Sequence, residues 1–210
     1  MVNKYELNVL KNNSTIQNYL ENLYTIDLLD RYLPVEKAEE LNVLDIGSKN
    51  WFYASAEYQF FKKYSEKLAL DGIEIDSNRL YSNFYSRAEV AKFYTKNLDD
   101  ANYIKGDFLQ HNKEYDYLIW FLPFVFKRPH LLWGLPEKYF KPDKMLAHAF
   151  ESLKFSEGKS GKIFIINQGN DEFLAQKKLC DDLNLPYNEI GEVKSPFMTY
   201  KHPRFLILVG

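Results

Sequence analysis

The 210-residue chain has a single cysteine, Cys180, so no intrachain disulfide forms and no cysteine cluster exists for zinc. No apolar run approaches the roughly 18 residues that suggest a membrane span, and residues 1–6 show no apolar signal segment. Neither sign of charge dominates. The 27 basic and 29 acidic residues leave a net charge of −2, with no block of like charges that would make a polyanion-binding tail. Charge therefore gives no argument for a nucleic-acid partner, and a reduced cytoplasm is the expected compartment. Histidine–carboxylate spacing suggests no metal site. No Gly-Lys-Ser/Thr run occurs, which removes a phosphate-binding P-loop. What the chain does have is aromatic residues, 17% of the total with 16 Tyr and 16 Phe.

The pattern along the chain alternates. Ser14 and Gln17 read as a capping box for a first helix, in which Ile16, Leu20 and Leu23 share a face. Pro34 ends that helix. Strands are expected at 41–46, 68–75, 102–105, 116–121 and 162–167. Helices are expected at 50–66, from Asp76 or Ser77 through Leu80, Phe84, Ala88 and Ala91, at 143–154 and at 171–184. Residues 123–141 read as irregular. Two closing strands, 188–194 and 204–209, have no helix between them and read as a hairpin. The near-continuous apolar run at 117–121 suits a parallel strand buried on both faces. These features predict an α/β fold with a doubly wound, mostly parallel seven-stranded sheet, helices on both faces and a C-terminal antiparallel strand pair. An N-terminal helical extension, residues 1–40, precedes a single unit at 41–210.

Ligands on such sheets bind beyond the carboxyl ends of the strands. After the first strand comes Asp45-Ile46-Gly47-Ser48-Lys49-Asn50. A nicotinamide fingerprint starting at Gly47 needs glycine at 49 and 52, where Lys49 and Phe52 stand. An acid at that mouth also opposes a pyrophosphate and suits a ligand with an ammonium group.

With Asp45-Ile46-Gly47 after the first strand, Glu74 in Gly72-Ile73-Glu74 after the second and Gly106-Asp107-Phe108 after the third, the chain resembles the class I S-adenosylmethionine-dependent methyltransferases from about residue 41 onward. The resemblance implies that Asp45, Gly47 and Ser48 face the methionine end of the cofactor. It places Glu74 on the ribose hydroxyls, Asp107 and Phe108 at the adenine, and Trp120 on the same site. The departure from the family pattern is Ser48-Lys49-Asn50 in place of further glycines. Trp120-Phe121-Leu122-Pro123-Phe124 keeps only the proline and last aromatic of the Asn-Pro-Pro-aromatic motif of amino-methylating members, which speaks against that chemistry.

Methyl transfer by direct displacement needs positioning more than a dedicated catalytic residue. The acceptor is expected to be a small or aromatic molecule, with Phe124, Phe126 and Trp133 as candidate contacts. His130, in the loop after the fourth strand, is the candidate base, against an exposed, uninvolved histidine. His148 is expected to face solvent, His111 and His202 have no evident partner, and Cys180 reads as a packed thiol. Two other readings stay open: a methyltransferase-like binding protein without activity, and an NAD-dependent oxidoreductase on a similar sheet.

Overall fold

The computed structural model describes residues 4–12, 14–156 and 159–210. Two helices come first, α1 (Leu7–Asn12) and α2 (Ile16–Tyr32). The alternating part runs β1 (Ala38–Ile46), α3 (Ala54–Lys62), β2 (Ser65–Glu74), α4 (Arg87–Thr95), β3 (Ala101–Lys105) and β4 (Tyr117–Phe121). It continues with α5 (Lys127–Leu132), α6 (Pro142–Glu151), a short ribbon of β5 (Phe155–Ser156) and β6 (Lys159–Ser160), β7 (Lys162–Gln168), α7 (Gly169–Asp182), β8 (Tyr187–Val193) and β9 (Arg204–Val209).

Seven strands form one sheet in the order β3-β2-β1-β4-β7-β9-β8. The first five are parallel, while β9 runs antiparallel to both β7 and β8. Because the chain turns outward from β1 to β2 and β3, then returns to place β4 on the other side of β1, the order reverses between β1 and β4. The crevice for a ligand opens at such a point. Alternation along each strand sends side chains to two cores. Phe164 and Ile166 of β7 join the core under α2 and α3, and Ile163 and Ile165 join the core under α6 and α7. The apolar run of β4 divides likewise, with Tyr117 and Ile119 to one side and Leu118 and Trp120 to the other. Leu23, Ile26, Leu28 and Leu29 of α2 are buried in the same core as β1 and β7, so this helix closes one face of the sheet.

Three local expectations are corrected. The cap of α2 is Thr15, whose side chain accepts from the Asn18 N–H at 3.2 Å, while the Gln17 amide donates to Glu21. The helix expected from Asp76 starts ten residues later, because Ser86 and Glu89 form a reciprocal capping box ahead of Arg87. Leu80 and Phe84 consequently lie outside the helix, 60% and 84% exposed. The stretch 123–141 is not wholly irregular, since it holds α5 and a 3-10 turn at Glu137–Tyr139.

One packing contact fixes where β1 ends relative to β2. Trp51 is fully buried and its indole lies on the backbone of Gly72, where a Cβ would fall 2.8 Å from a ring carbon. Its Nε1 donates to the buried Glu57 carboxylate at 2.8 Å. Gly72→Ala is therefore expected to lower the unfolding free energy by about 1–3 kcal/mol through overpacking. Chemical denaturation measures this, and an unchanged midpoint would show that Trp51 moves aside at no cost.

Candidate functional site

The loop after β1 takes three left-handed turns, at Gly47 (φ 72°), Lys49 (φ 55°) and Trp51 (φ 45°). Only the first is a glycine. A non-glycine residue there costs about 1–2 kcal/mol, so the other two persist because their surroundings hold them. The N–H groups of Gly47 and Ser48 donate to the Ile73 carbonyl at 2.9 and 3.2 Å, extending the β1–β2 ladder past the strand. The Lys49 N–H donates to Glu74 Oε2 at 2.9 Å, and the Tyr103 hydroxyl donates to the Lys49 carbonyl. The glycines missing from the sequence are replaced by contacts from β2, β3 and the indole of Trp51.

Glu74 is the hub at the end of β2. Its other oxygen accepts from the Asp76 N–H at 2.7 Å, and the buried Arg87 guanidinium stands 3.8 Å away. Arg87 also pairs with Asp76 at 3.2 Å, and Asp76 pairs with Arg79 at 2.6 Å. Arg79 donates to the Trp133 carbonyl at 2.6 Å. The Trp133 ring in turn meets three cations, Lys49, Arg79 and Arg87, at 5.4, 5.9 and 5.2 Å from its centroid. The segment after β4 is thus tied across the loops after β1 and β2.

Beneath this bridge a cleft of about 590 Å³ runs along the carboxyl edge of the sheet. Its wall contains Gly47, Glu74, Asp107, Phe108, Trp120, Phe124, His130 and Trp133. Eight of the eleven residues singled out from the sequence thus converge on one space. At Gly47 nothing lies within 4 Å of where a Cβ would be, so the backbone is open to a ligand. Asp107 caps the 3-10 turn Phe108–Gln110 by accepting from the Leu109 N–H at 3.0 Å, and Phe108 beside it is buried.

Three residues do not line the cleft. Phe126 precedes α5 and is 41% exposed away from the wall. Ser48 and Asp45 are fully buried behind it. Asp45 accepts from the Tyr53 hydroxyl at 2.8 Å, so the cleft meets Tyr53 rather than the carboxylate. Burial pushes the Asp45 carboxyl well above the usual range, partly opposed by the Tyr53 hydrogen bond, with the neighbouring Glu74 charge adding to the rise. Glu57 is raised for the same leading reason, with Asp45 adding. Asp45 Oδ1, Glu57 Oε1 and Ser48 Oγ have no partner among the described residues.

The histidines also differ from expectation. His130 is buried rather than exposed: Nε2 donates to the Pro136 carbonyl at 3.0 Å and the ring packs against Phe124 and Phe140. This makes it a strut of the wall, with only Nδ1 left to accept a proton. His148 does not face solvent alone. It bonds the His111 carbonyl at 2.8 Å and packs on Phe108 at 4.8 Å. His111 has a partner too, the Tyr115 hydroxyl at 2.6 Å, which itself donates to Asp71. Cys180 is a packed thiol, pushed up to about 11 by burial.

The sequence reading missed the far end of the cleft, lined by Glu21, Tyr24 and Thr25 of α2 together with Gln168, Tyr200 and Arg204. These residues sit in no motif. The only available signal is that Tyr24 and Thr25 fall beside the apolar stripe of α2. No cluster of histidine, cysteine and acids able to hold a metal occurs among the described residues, and none of their helices is long and apolar enough to cross a membrane.

Strand order, the antiparallel β9 and the position of the cleft together define the fold of the class I S-adenosylmethionine-dependent methyltransferases. The chain is similar to a S-adenosylmethionine-dependent methyltransferase from Aquifex aeolicus, with TM-score 0.62 and 15% identity over 98% of this chain and 99% of that one. It is also similar to magnesium protoporphyrin IX methyltransferase from Synechocystis, solved with S-adenosylmethionine bound, with TM-score 0.52 and 14% identity over 91% and 79%. A third is precorrin-6y C5,15-methyltransferase from Geobacter metallireducens, with TM-score 0.52 and 13% identity over 90% and 86%. No family model and no curated protein matches the chain.

The buried Asp45 sets a pH dependence. Its folded pKa lies above the unfolded value, so its favourable contribution is present below about pH 4 and is lost as pH rises through the folded pKa. Asp45→Asn keeps an acceptor for Tyr53 and removes the buried charge. The variant is expected to melt higher than the parent at pH 8, with the gain shrinking towards pH 4 in thermal scans. An equal gain at both pH values would mean that charge is not the cause.

Proposed function

We propose that the protein transfers a methyl group from S-adenosylmethionine to a small or aromatic acceptor. The observation that carries this is Glu74 at the end of β2: a carboxylate on the cleft wall, held by two backbone N–H groups, beside a loop that offers no row of N–H groups to a pyrophosphate. Each carboxylate oxygen keeps a lone pair for a ribose hydroxyl. Asp107 would meet the adenine amino group, with Phe108 and Ile75 against the base. The open backbone at Gly47 suits the amino-acid end, with Tyr53 as the polar group there and Asp45 behind it.

The cofactor, when bound, supplies an electrophilic methyl group on a sulfonium. The chain's residues do the rest by orientation and exclusion of water. Trp120, Phe121 and Phe124 give an apolar wall at the end of β4, and the Trp133 bridge narrows the mouth. No side chain is assigned as a base. The inactive-binder reading drew its support from the missing glycines, and that support weakens because other contacts hold the loop in place.

Calorimetry with S-adenosylmethionine, S-adenosylhomocysteine and NAD tests the proposal. Both sulfur ligands are expected to bind below millimolar concentration and NAD is not. Failure of both sulfur ligands at millimolar concentration would overturn the reading. Glu74→Ala is expected to weaken S-adenosylhomocysteine at least tenfold, about 1.4 kcal/mol. It is also expected to lower stability by about 1–3 kcal/mol, because the Lys49 and Asp76 N–H groups lose their acceptor. Unchanged affinity would mean that the ribose lies elsewhere.

A further inference from the structure

We infer that the methyl acceptor is a flat, largely apolar molecule bearing a carboxylate, and that Arg204 and Tyr24 hold that carboxylate at the end of the cleft opposite Glu74. The word acceptor rests on the methyl-transfer reading; the anion site stands on its own geometry.

Arg204 opens β9 and reaches the cleft. Its Nη1 donates to Gln168 Oε1 at 3.0 Å and to the His202 carbonyl at 3.4 Å. Among the described residues it has no ion-pair partner, whereas Arg31, Arg79 and Arg87 each have one. Glu21 and Glu172 also line the cleft, but neither forms an ion pair with Arg204 within 4 Å, and the Glu172 carboxylate accepts from the Gln168 N–H at 2.9 Å. The Arg204 guanidinium stacks on Tyr200 at 4.3 Å, which fixes the plane of its donor fork. A planar, oriented guanidinium without a carboxylate partner matches a bidentate carboxylate ligand.

The second observation is independent. Tyr24 lies on the cleft wall, is 6% exposed and packs edge-on against Tyr200 at 5.2 Å. Its hydroxyl is buried with no hydrogen-bond partner among the described residues. A buried hydroxyl left unpaired destabilises the fold unless a ligand meets it. Arg204 and Tyr24 thus line the same chamber, one with no ion-pair partner and the other with an unpaired hydroxyl among the described residues.

The chamber also sets the rest of the ligand. At the end of β4 stands Phe121, with Tyr53 packed edge to face on it at 5.4 Å and Ile166 of β7 opposite it in register, all three on the cleft wall. These surfaces suit an aromatic or similarly flat skeleton. The order β4-β7-β9 puts Arg204 two strands from β4, about 10 Å at the ordinary strand spacing. That backbone spacing leaves room for about one substituted ring between a carboxylate on Arg204 and the β4 end, where the methyl group would arrive, so the carboxylate would anchor the acceptor rather than take the methyl group.

The test titrates 4-hydroxybenzoate and its neutral match 4-hydroxybenzamide, and likewise indole-3-acetate and indole-3-acetamide, into the protein with and without S-adenosylhomocysteine. In at least one pair the acid is expected to bind tenfold or more tightly than its amide. Arg204→Gln is expected to abolish that preference and to leave S-adenosylhomocysteine affinity unchanged. Tyr24→Phe is expected to weaken the acid severalfold while the melting temperature stays equal or rises, because no hydrogen bond is lost in the free protein. Equal binding of acid and amide in both pairs, or no binding of either acid, overturns the inference, as does a preference that survives Arg204→Gln. Loss of S-adenosylhomocysteine binding with the acid preference intact would instead count against methyl transfer and leave the anion site standing.

Discussion

The double acceptance by Glu74 organises this end of the molecule. One carboxylate takes the Lys49 N–H from the loop after β1 and the Asp76 N–H from the loop after β2, and so makes two strand ends into one surface. Arg87 is held buried by Glu74 and Asp76, Arg79 is held by Asp76, and Trp133 rests on both arginines. The mouth of the cleft is therefore built outward from a single side chain. Neither of its oxygens is saturated, so the side chain can accept from further hydroxyl groups.

A second constraint lies deeper. Asp45, Glu57 and Glu74 are three acids in one region, two of them fully buried, with a tyrosine and a tryptophan as their hydrogen-bond donors. Folding pays to bury these groups. Burial is the main reason that ionisation of Asp45 is opposed, with the Glu74 charge adding to it, and a positive charge brought near these acids would lower that cost. Structure and proposed chemistry meet in this exchange.

Much of the sheet was legible because a strand buried on both faces writes a continuous apolar run, as at β4 and β7, and the closing strand at Arg204–Val209 matched to the residue. The three acids at successive strand ends were legible for the same reason: strand ends locate them. The helix expected after Asp76 misled because Leu80, Phe84, Ala88 and Ala91 share a helical period by coincidence, while the local Ser86–Glu89 box decides where the helix starts. The loop path was out of reach of any local pattern. Lys49 adopts left-handed backbone where Glu74 and Tyr103, far along the chain, bond its N–H and carbonyl, and Trp51 does so where its ring packs on the distant Gly72. Tyr24 and Arg204 were hidden more completely, since they come from opposite ends of the sequence and meet only through the sheet order.

The contact between Trp51 and Gly72 bears on how such a chain diverges. An indole occupies the space that any side chain at 72 would need. Position 72 accepts a larger residue only where position 51 gives up its ring, and the loop then needs another means of turning, most simply by glycine at 49 or 51. Across relatives, a bulky residue at 72 and a glycine-rich loop should therefore arrive together as one inherited unit, and a tryptophan at 51 should travel with a bare backbone opposite it.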